Sequence, residues 1–229
     1  MIDAGHGGKD SGTRGVMSKE KDIALEIALE LGDIIKEYLP DVEVIYTRTD
    51  DKFIELDERS NIANKNGADL FVSIHCNAVD YSDKVHGTET WIMGLHKSET
   101  NLNVAKRENS VILMEDNYEE KYEGFDPNDP ASHILFSLYQ NAYLANSLKL
   151  AEKVEYQFDK RVGRHSRGVK QAGFVVLFKS SMPSVLIETG FLSNPKEERY
   201  LNDELGQTYI ASGIFRAVRD YKVEIESMN

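Results

Sequence analysis

Apolar positions along the chain follow two periods, and the two alternate. Residues 2–4 read as the last residues of a buried strand, and a Gly-rich loop follows through Gly5, Gly7, Gly8, Gly12 and Gly15. Over 19–39, Ile23, Ile27, Leu31, Ile34 or Ile35 and Tyr38 recur at helical spacing, with Ser18 as the expected N-cap and Pro40 as the stop. Residues 42–47 predict a strand, 56–66 a second helix and 69–75 a short, mostly apolar strand. Thr and apolar residues alternate over 88–93, which predicts another strand. A long helical pattern runs over 132–158. Strands are predicted at 174–178 and 184–188, and helices at 197–205 and 210–221. Strands alternating with helices imply one α/β domain over 1–229, a mainly parallel (mixed) sheet flanked by helices.

Residues 95–130 break the rhythm. Between 115 and 129 seven acids (Glu115, Asp116, Glu119, Glu120, Glu123, Asp126, Asp129) face one base, Lys121, and Pro127 and Pro130 punctuate the end. The segment is too long and polar for an ordinary connection and reads as an insertion, with some helix over 101–114.

Composition narrows the class without naming it. Hydrophobic residues at 41% and charged residues at 29% are ordinary for a globular domain, and 229 residues suffice for a sizeable core. A net charge of −12 argues against a nucleic-acid partner. No apolar run approaches the ~18 residues of a membrane span. The chain opens almost inside a strand with no signal-peptide pattern, and is expected to be a trimmed form of a longer protein. The single cysteine, Cys76, rules out an intrachain disulfide and a multi-cysteine zinc site, and its place after His75 on a strand predicts a core residue.

In open α/β sheets ligands bind outside the carboxyl ends of the strands. His6, His75 and Glu188 each stand at or just past such an end, and Glu20 joins them if the Gly-rich loop folds back over that edge. Two histidines and a carboxylate form a common catalytic zinc set with an open position. A further carboxylate beside it, here Glu188, can move a proton to the leaving group. Spacing alone leaves each residue a plainer role. His6 reads also as a loop histidine, Glu20 as a helix-start acid favoured by the macrodipole, and His75 as a satisfied core histidine. Glu188 is the strongest single signal, because a carboxylate closing Ser-Val-Leu-Ile-Glu is costly unless paired or functional. His86, His96, His133 and His165 have no ligand-like context, and Arg59 and Asn77 read mainly as residues holding loops, with a role behind the ligands or facing substrate as the alternative.

The opening Ile2-Asp3-Ala4-Gly5-His6-Gly7-Gly8-Lys9-Asp10-Ser11-Gly12, followed by Lys19-Glu20-Lys21-Asp22-Ile23-Ala24-Leu25, resembles the start of the zinc-dependent N-acetylmuramoyl-L-alanine amidase family. Ala68-Asp69-Leu70-Phe71-Val72-Ser73-Ile74-His75-Cys76-Asn77-Ala78 is similar to its second histidine motif, and Val185-Leu186-Ile187-Glu188-Thr189-Gly190-Phe191-Leu192-Ser193-Asn194-Pro195 to its closing motif. The resemblance runs in order over nearly the whole chain. It implies one zinc ion on His6, Glu20 and His75, Glu188 as the catalytic residue, and hydrolysis of the bond between the lactyl group of N-acetylmuramic acid and L-alanine. It also implies peptidoglycan as partner and a place in the cell envelope, periplasmic or secreted. A zinc peptidase or deacetylase on the same ligands, and a non-catalytic wall-binding module, are the alternatives.

Residues 97–110 resemble the start of the segment that closes the active site in the cell-division branch of this family. The resemblance implies autoinhibition by a carboxylate, with Glu108 the first candidate and Glu99 and Glu115 behind it, and relief by an activator protein. A solvated acidic excursion with no regulatory role is the alternative. The stretch 171–177 resembles one beside the family's site and is expected to line the substrate groove.

Overall fold

The computed structural model describes residues 1–137 and 142–227. Five strands form one mixed sheet in the order β1-β2-β5-β3-β4: β1 (Ile2–Ala4), β2 (Phe71–Asn77), β3 (Thr88–Met93), β4 (Ser166–Ala172) and β5 (Ser184–Phe191). Strands β1, β2 and β5 run parallel, β3 runs antiparallel to β5, and β4 is parallel to β3.

Alternation sorts each strand's side chains between two layers. Val72, Ile74, Cys76, Ile92, Val185 and Ile187 point into one core, closed by α1 (Glu20–Tyr38), α6 (Leu144–Gln157) and α9 (Glu204–Glu226). Ile23, Ile27 and Leu31, spaced by four, form the buried stripe of α1. Phe71, Trp91, Met93 and Leu186 point the other way, under α2 (Leu56–Lys65), α3 (Glu99–Asn109) and α7 (Val175–Phe178). The remaining helices are α4 (Tyr118–Lys121), α5 (Pro130–Ser137) and α8 (Pro195–Leu201).

Five expectations need correction. Ser18 does not cap α1: Lys19 holds that position with no side-chain cap, and Ser18 Oγ donates to Glu198 instead. Residues 42–47 form no named strand; the segment touches β1 through an Ile2–Tyr46 bridge, with Thr47 and Arg48 turned inward to other tasks. Residues 174–178 are a single helical turn, because the edge strand lies earlier, at Ser166–Ala172, where polar residues half exposed at the rim hide the strand period. The helix expected over 132–158 is two helices, α5 ending at Ser137 and α6 starting at Leu144; residues 138–141 of that expectation lie outside the described residues. The two closing helices redistribute into α8 and an unbroken α9 from Glu204, started by Asp203, whose side chain accepts from Gly206 N–H. The stretch 95–130 contains α3, a 3-10 turn (Ser110–Met114) and α4, and packs on the sheet through Ala105, Val111, Ile112, Tyr122 and Phe125.

Candidate metal centre and active site

The carboxyl ends of β1, β2 and β5 lie along one edge, and because β3 runs the other way its first residues lie there too. In register, His75 stands beside Glu188 and Glu188 beside Glu89, three polar side chains in a row on the α2–α3 face. His6 follows β1 in a left-handed backbone conformation, φ 59°, which turns the loop back over the edge. The loop is held from below by two buried guanidiniums. Arg59 donates to Asp3 and to the Ala4 and His6 carbonyls, and Arg48 to the Ala4 and Gly5 carbonyls. The returning chain delivers Glu20 as the first residue of α1. Gly12 is required there, since a Cβ would lie 2.5 Å from Glu20 Oε2 and 2.6 Å from the His6 ring.

His6, Glu20, His75 and Glu108 converge, with all four ligand atoms within 4.8 Å of one another and all four residues buried. Glu20 Oε1 is 3.0 Å from His6 Nε2 and 2.9 Å from His75 Nδ1. Glu108 Oε2, arriving from α3, is 3.3 Å and 3.1 Å from the same two nitrogens. Neighbours fix the orientation of each group. His6 Nδ1 pairs with Asp10 Oδ2 at 2.6 Å, which leaves Nε2 facing the cluster. Glu20 accepts from the Thr13 N–H and hydroxyl and from the Cys76 N–H. Within this cluster His6 Nε2 and Glu108 Oε2 are buried yet lack a hydrogen-bond partner. Two imidazoles and two carboxylates aimed at one point, with such orphaned atoms, fit a divalent cation of borderline softness.

Charge is concentrated accordingly. Burial pushes the His75 pKa down, but the adjacent Glu108 carboxylate and the hydrogen bond to Glu20 outweigh it and raise it to about 9. Burial likewise lowers His6, and Glu20, Asp10 and Glu108 reverse this to hold it well above the usual 6.5. Glu188 goes the other way. Burial, then the nearby Glu108 charge, raises its carboxyl well above the usual range. Its Oε1 lies 3.5 Å from Arg107 Nη2, and its Oε2 has no partner.

The other expectations place as follows. Cys76 is fully buried in the apolar core. Glu99 is exposed, away from the cluster. Glu115 is buried elsewhere, accepting from Leu56 N–H, Tyr122 OH and Lys121. Among the described residues His86, His96, His133 and His165 join no candidate metal cluster. Sequence reasoning missed Asp10, Arg107 and Glu89. An acid four residues after His6 was the available signal for Asp10. Glu89 required knowing that β3 is antiparallel.

The chain and its fold are similar to those of known proteins. Residues 1–220 match the family model described as N-acetylmuramoyl-L-alanine amidase. The chain belongs to the N-acetylmuramoyl-L-alanine amidase family. It is 35% identical over 225 residues to the amidase AmiA of Escherichia coli (strain K12), covering 96% of this chain and 75% of AmiA. It is 34% identical to AmiC of Escherichia coli O6:H1 (strain CFT073), covering 96% of this chain and 52% of AmiC. An amidase structure from Clostridium difficile 630 superposes with a TM-score of 0.70 at 32% identity, over 96% of this chain and 94% of that one. The CwlD amidase of Clostridioides difficile, solved in complex with the GerS lipoprotein, gives 0.69 at 28% identity, over 97% and 96%. The chain is therefore an amidase acting on peptidoglycan. No helix among the described residues is long and apolar enough to cross a membrane.

Proposed function

We propose that the amidase uses one zinc ion held by His6 Nε2, Glu20 and His75 Nδ1, and that this structure is its closed, autoinhibited state. The observation that carries the reading is the four-membered cluster itself, in which a carboxylate from the 95–130 insertion completes a ligand set supplied by the domain body. When bound, the metal polarises the scissile carbonyl and brings the pKa of a water to about 7.

The chain's own groups divide the remaining work. Asp10 fixes the His6 ring so that Nε2 faces the cluster, and Thr13 and Cys76 N–H groups pin Glu20. Glu188 Oε2, buried and without a partner, takes the proton from the attacking water and returns it to the leaving nitrogen. The C–N bond breaks, giving the lactyl carboxylate of N-acetylmuramic acid and a stem peptide with a free L-alanine amine. A carboxyl whose pKa burial has raised suits both halves of that transfer.

The insertion, residues 95–130, closes this site with two neighbouring side chains. Glu108 Oε2 stands 3.1 Å from His75 Nδ1, where it would hold a bound cation in place of a water, and Arg107 lies against Glu188. Its far end is clamped to the start of α2 by Glu115, Lys121 and Tyr122, and Lys9 donates to the Met114 carbonyl. An activator protein that displaces α3 would open the site; the GerS complex of a structural relative is a precedent for a partner on this fold. Action on peptidoglycan supports a location in the cell envelope, periplasmic or secreted.

Metal analysis together with muropeptide products tests the reading. Purified chain should carry about one zinc per molecule and release stem peptides with free L-alanine amino termini. Cleavage within the stem peptide, or deacetylated sugar as the product, would sink it. Removing 98–128 from a chain that still folds should raise turnover, and unchanged turnover would reduce the insertion to a solvated excursion.

A further inference from the structure

The guanidinium of Arg107 gathers acceptors that belong to the domain body. Its Nη1 donates to the Ala78 carbonyl at 2.9 Å and its Nη2 to Asn77 Oδ1 at 3.0 Å, beside Glu188. Asn77 and Ala78 sit at the end of β2, directly after the His75-Cys76 pair. They would hold their places if α3 withdrew, leaving the Ala78 carbonyl without its Arg107 donor and Asn77 Oδ1 with one lone pair free, next to the proton-transferring carboxylate.

The orientation of the Asn77 carboxamide is imposed. Its Nδ2 donates to Glu89 Oε2 at 3.2 Å, and its Oδ1 accepts from the Ala78 N–H at 2.8 Å. Glu89 is 2% exposed, and its other oxygen holds Arg167 Nε at 2.7 Å and Lys170 Nζ at 2.5 Å. A carboxylate paired with two cations offers only acceptor oxygens, so it can hold only the NH2 end of the amide. Asn77 Oδ1 is thereby turned toward the place Arg107 fills. Such a buried network is costly to build and to leave half satisfied, and the metal cluster does not use it.

We propose that Asn77 Oδ1 and the Ala78 carbonyl form a subsite that accepts peptide N–H groups of the stem peptide beside Glu188, that Glu89 is its positioning residue, and that Arg107 shuts it in the closed state. The last clause rests on the reading of α3 as a plug. The ligand class follows from the chemistry: two neutral acceptors next to the group that protonates a leaving amide nitrogen match N–H donors of the peptide on that side of the scissile bond. Holding them there orients the amide for attack.

The test uses the full zinc-loaded chain and a soluble N-acetylmuramoyl tripeptide, with kcat and KM measured separately. Arg107→Ala removes the plug's donors to Asn77 and Ala78, together with the Arg107 Nε bond to Glu108 Oε1, and should raise kcat/KM about tenfold, the worth of a charge-assisted hydrogen bond. Asn77→Ala removes one of these plug contacts and the side-chain acceptor of the subsite together. It should lower kcat/KM by about tenfold, mainly through KM. Glu89→Leu should behave like Asn77→Ala, while Glu89→Gln, which still offers Asn77 Nδ2 an acceptor, should recover most of the loss. A rise for Asn77→Ala to match Arg107→Ala would overturn the subsite and leave Asn77 a plug contact. If Asn77→Ala does not fold, the parent chain is assayed with substrates N-methylated at the first or second peptide nitrogen beyond the scissile amide. At least one should show a KM raised about tenfold, and no change for either overturns the proposal. Failure of Arg107→Ala to raise turnover overturns the plug alone, because the N-methyl comparison reads the subsite without reference to α3.

Discussion

The two faces of the sheet are made from alternate residues of the same strands and do opposite work. Toward α1, α6 and α9 the strands offer Val72, Ile74, Cys76, Val185 and Ile187, against Ile23, Ile27, Leu31, Leu150, Val154 and Ile214, all nearly or wholly buried. Toward α2 and α3 the same strands offer Asp3, Ser73, His75, Asn77 and Glu188, also buried. Burial alone therefore does not mark a core. On one face it is stabilised by apolar contact; on the other, beside the apolar cluster of Phe71, Trp91, Met93 and Leu186, polar groups are held by partners or aimed at the proposed cation and substrate site. A strand's twofold period allows this division, so stability and activity should separate by face.

The largest expected effect is on the polar face. Glu188→Gln should lower kcat by about 10²–10⁴-fold, the range for removing a general acid–base group. Zinc content and melting temperature should stay near the parent values, since a neutral amide in that buried place relieves a desolvation cost. A parent-like rate would remove Glu188 from the reaction and blur the contrast between the faces.

Next is the apolar face. Ile27, fully buried in the stripe of α1, should cost about 2–5 kcal/mol as Ile27→Ala. Denaturant unfolding measures the loss. The rate per folded, zinc-loaded molecule should be unchanged, and a large drop would show that the two faces are coupled. Smaller again is the effect of freeing the proposed closed state. Glu108→Ala should raise turnover about tenfold, a population shift of about 1.4 kcal/mol. Rates on soluble muropeptides check this, and an unchanged rate would return α3 to a structural role.

The smallest effect is a pH dependence confined to the polar face. In the metal-free chain His75 is raised from 6.5 to about 9. Its ion pairs with Glu108 and Glu20 therefore contribute their stability fully below about 6.5 and lose it as pH rises through about 9. Zinc needs the neutral imidazole, so its affinity should rise with pH across that window and binding near pH 7 should release protons. Calorimetric titration in buffers of different ionisation enthalpy reads the release directly. Zinc binding with no proton release would contradict the ion-paired histidines.

Much of this was legible before any coordinates. The strands 69–75, 88–93 and 184–188 and the helices 19–39 and 56–66 were readable because their apolar spacing is regular and their ends carry recognisable stops. The edge strand β4 was not, since an edge over a polar rim has no apolar alternation to show. Residues 174–178 misled for the converse reason: a short apolar run has no period, and a helical turn and a strand look alike in it.

The chain by itself determined the chemistry available: the residue types at His6, Glu20, His75 and Glu188, their position after apolar strands, and the glycines that let them approach. Only the tertiary structure decided which groups share a space. The direction of β3 brings Glu89 beside Glu188. The return of α3 brings Glu108 within 3.3 Å of His6 Nε2 and Arg107 within hydrogen-bond reach of Ala78. Those contacts join residues up to 102 positions apart, and local sequence carries no record of them. Their cause is a fold that lays strand ends side by side and then covers them with one helix.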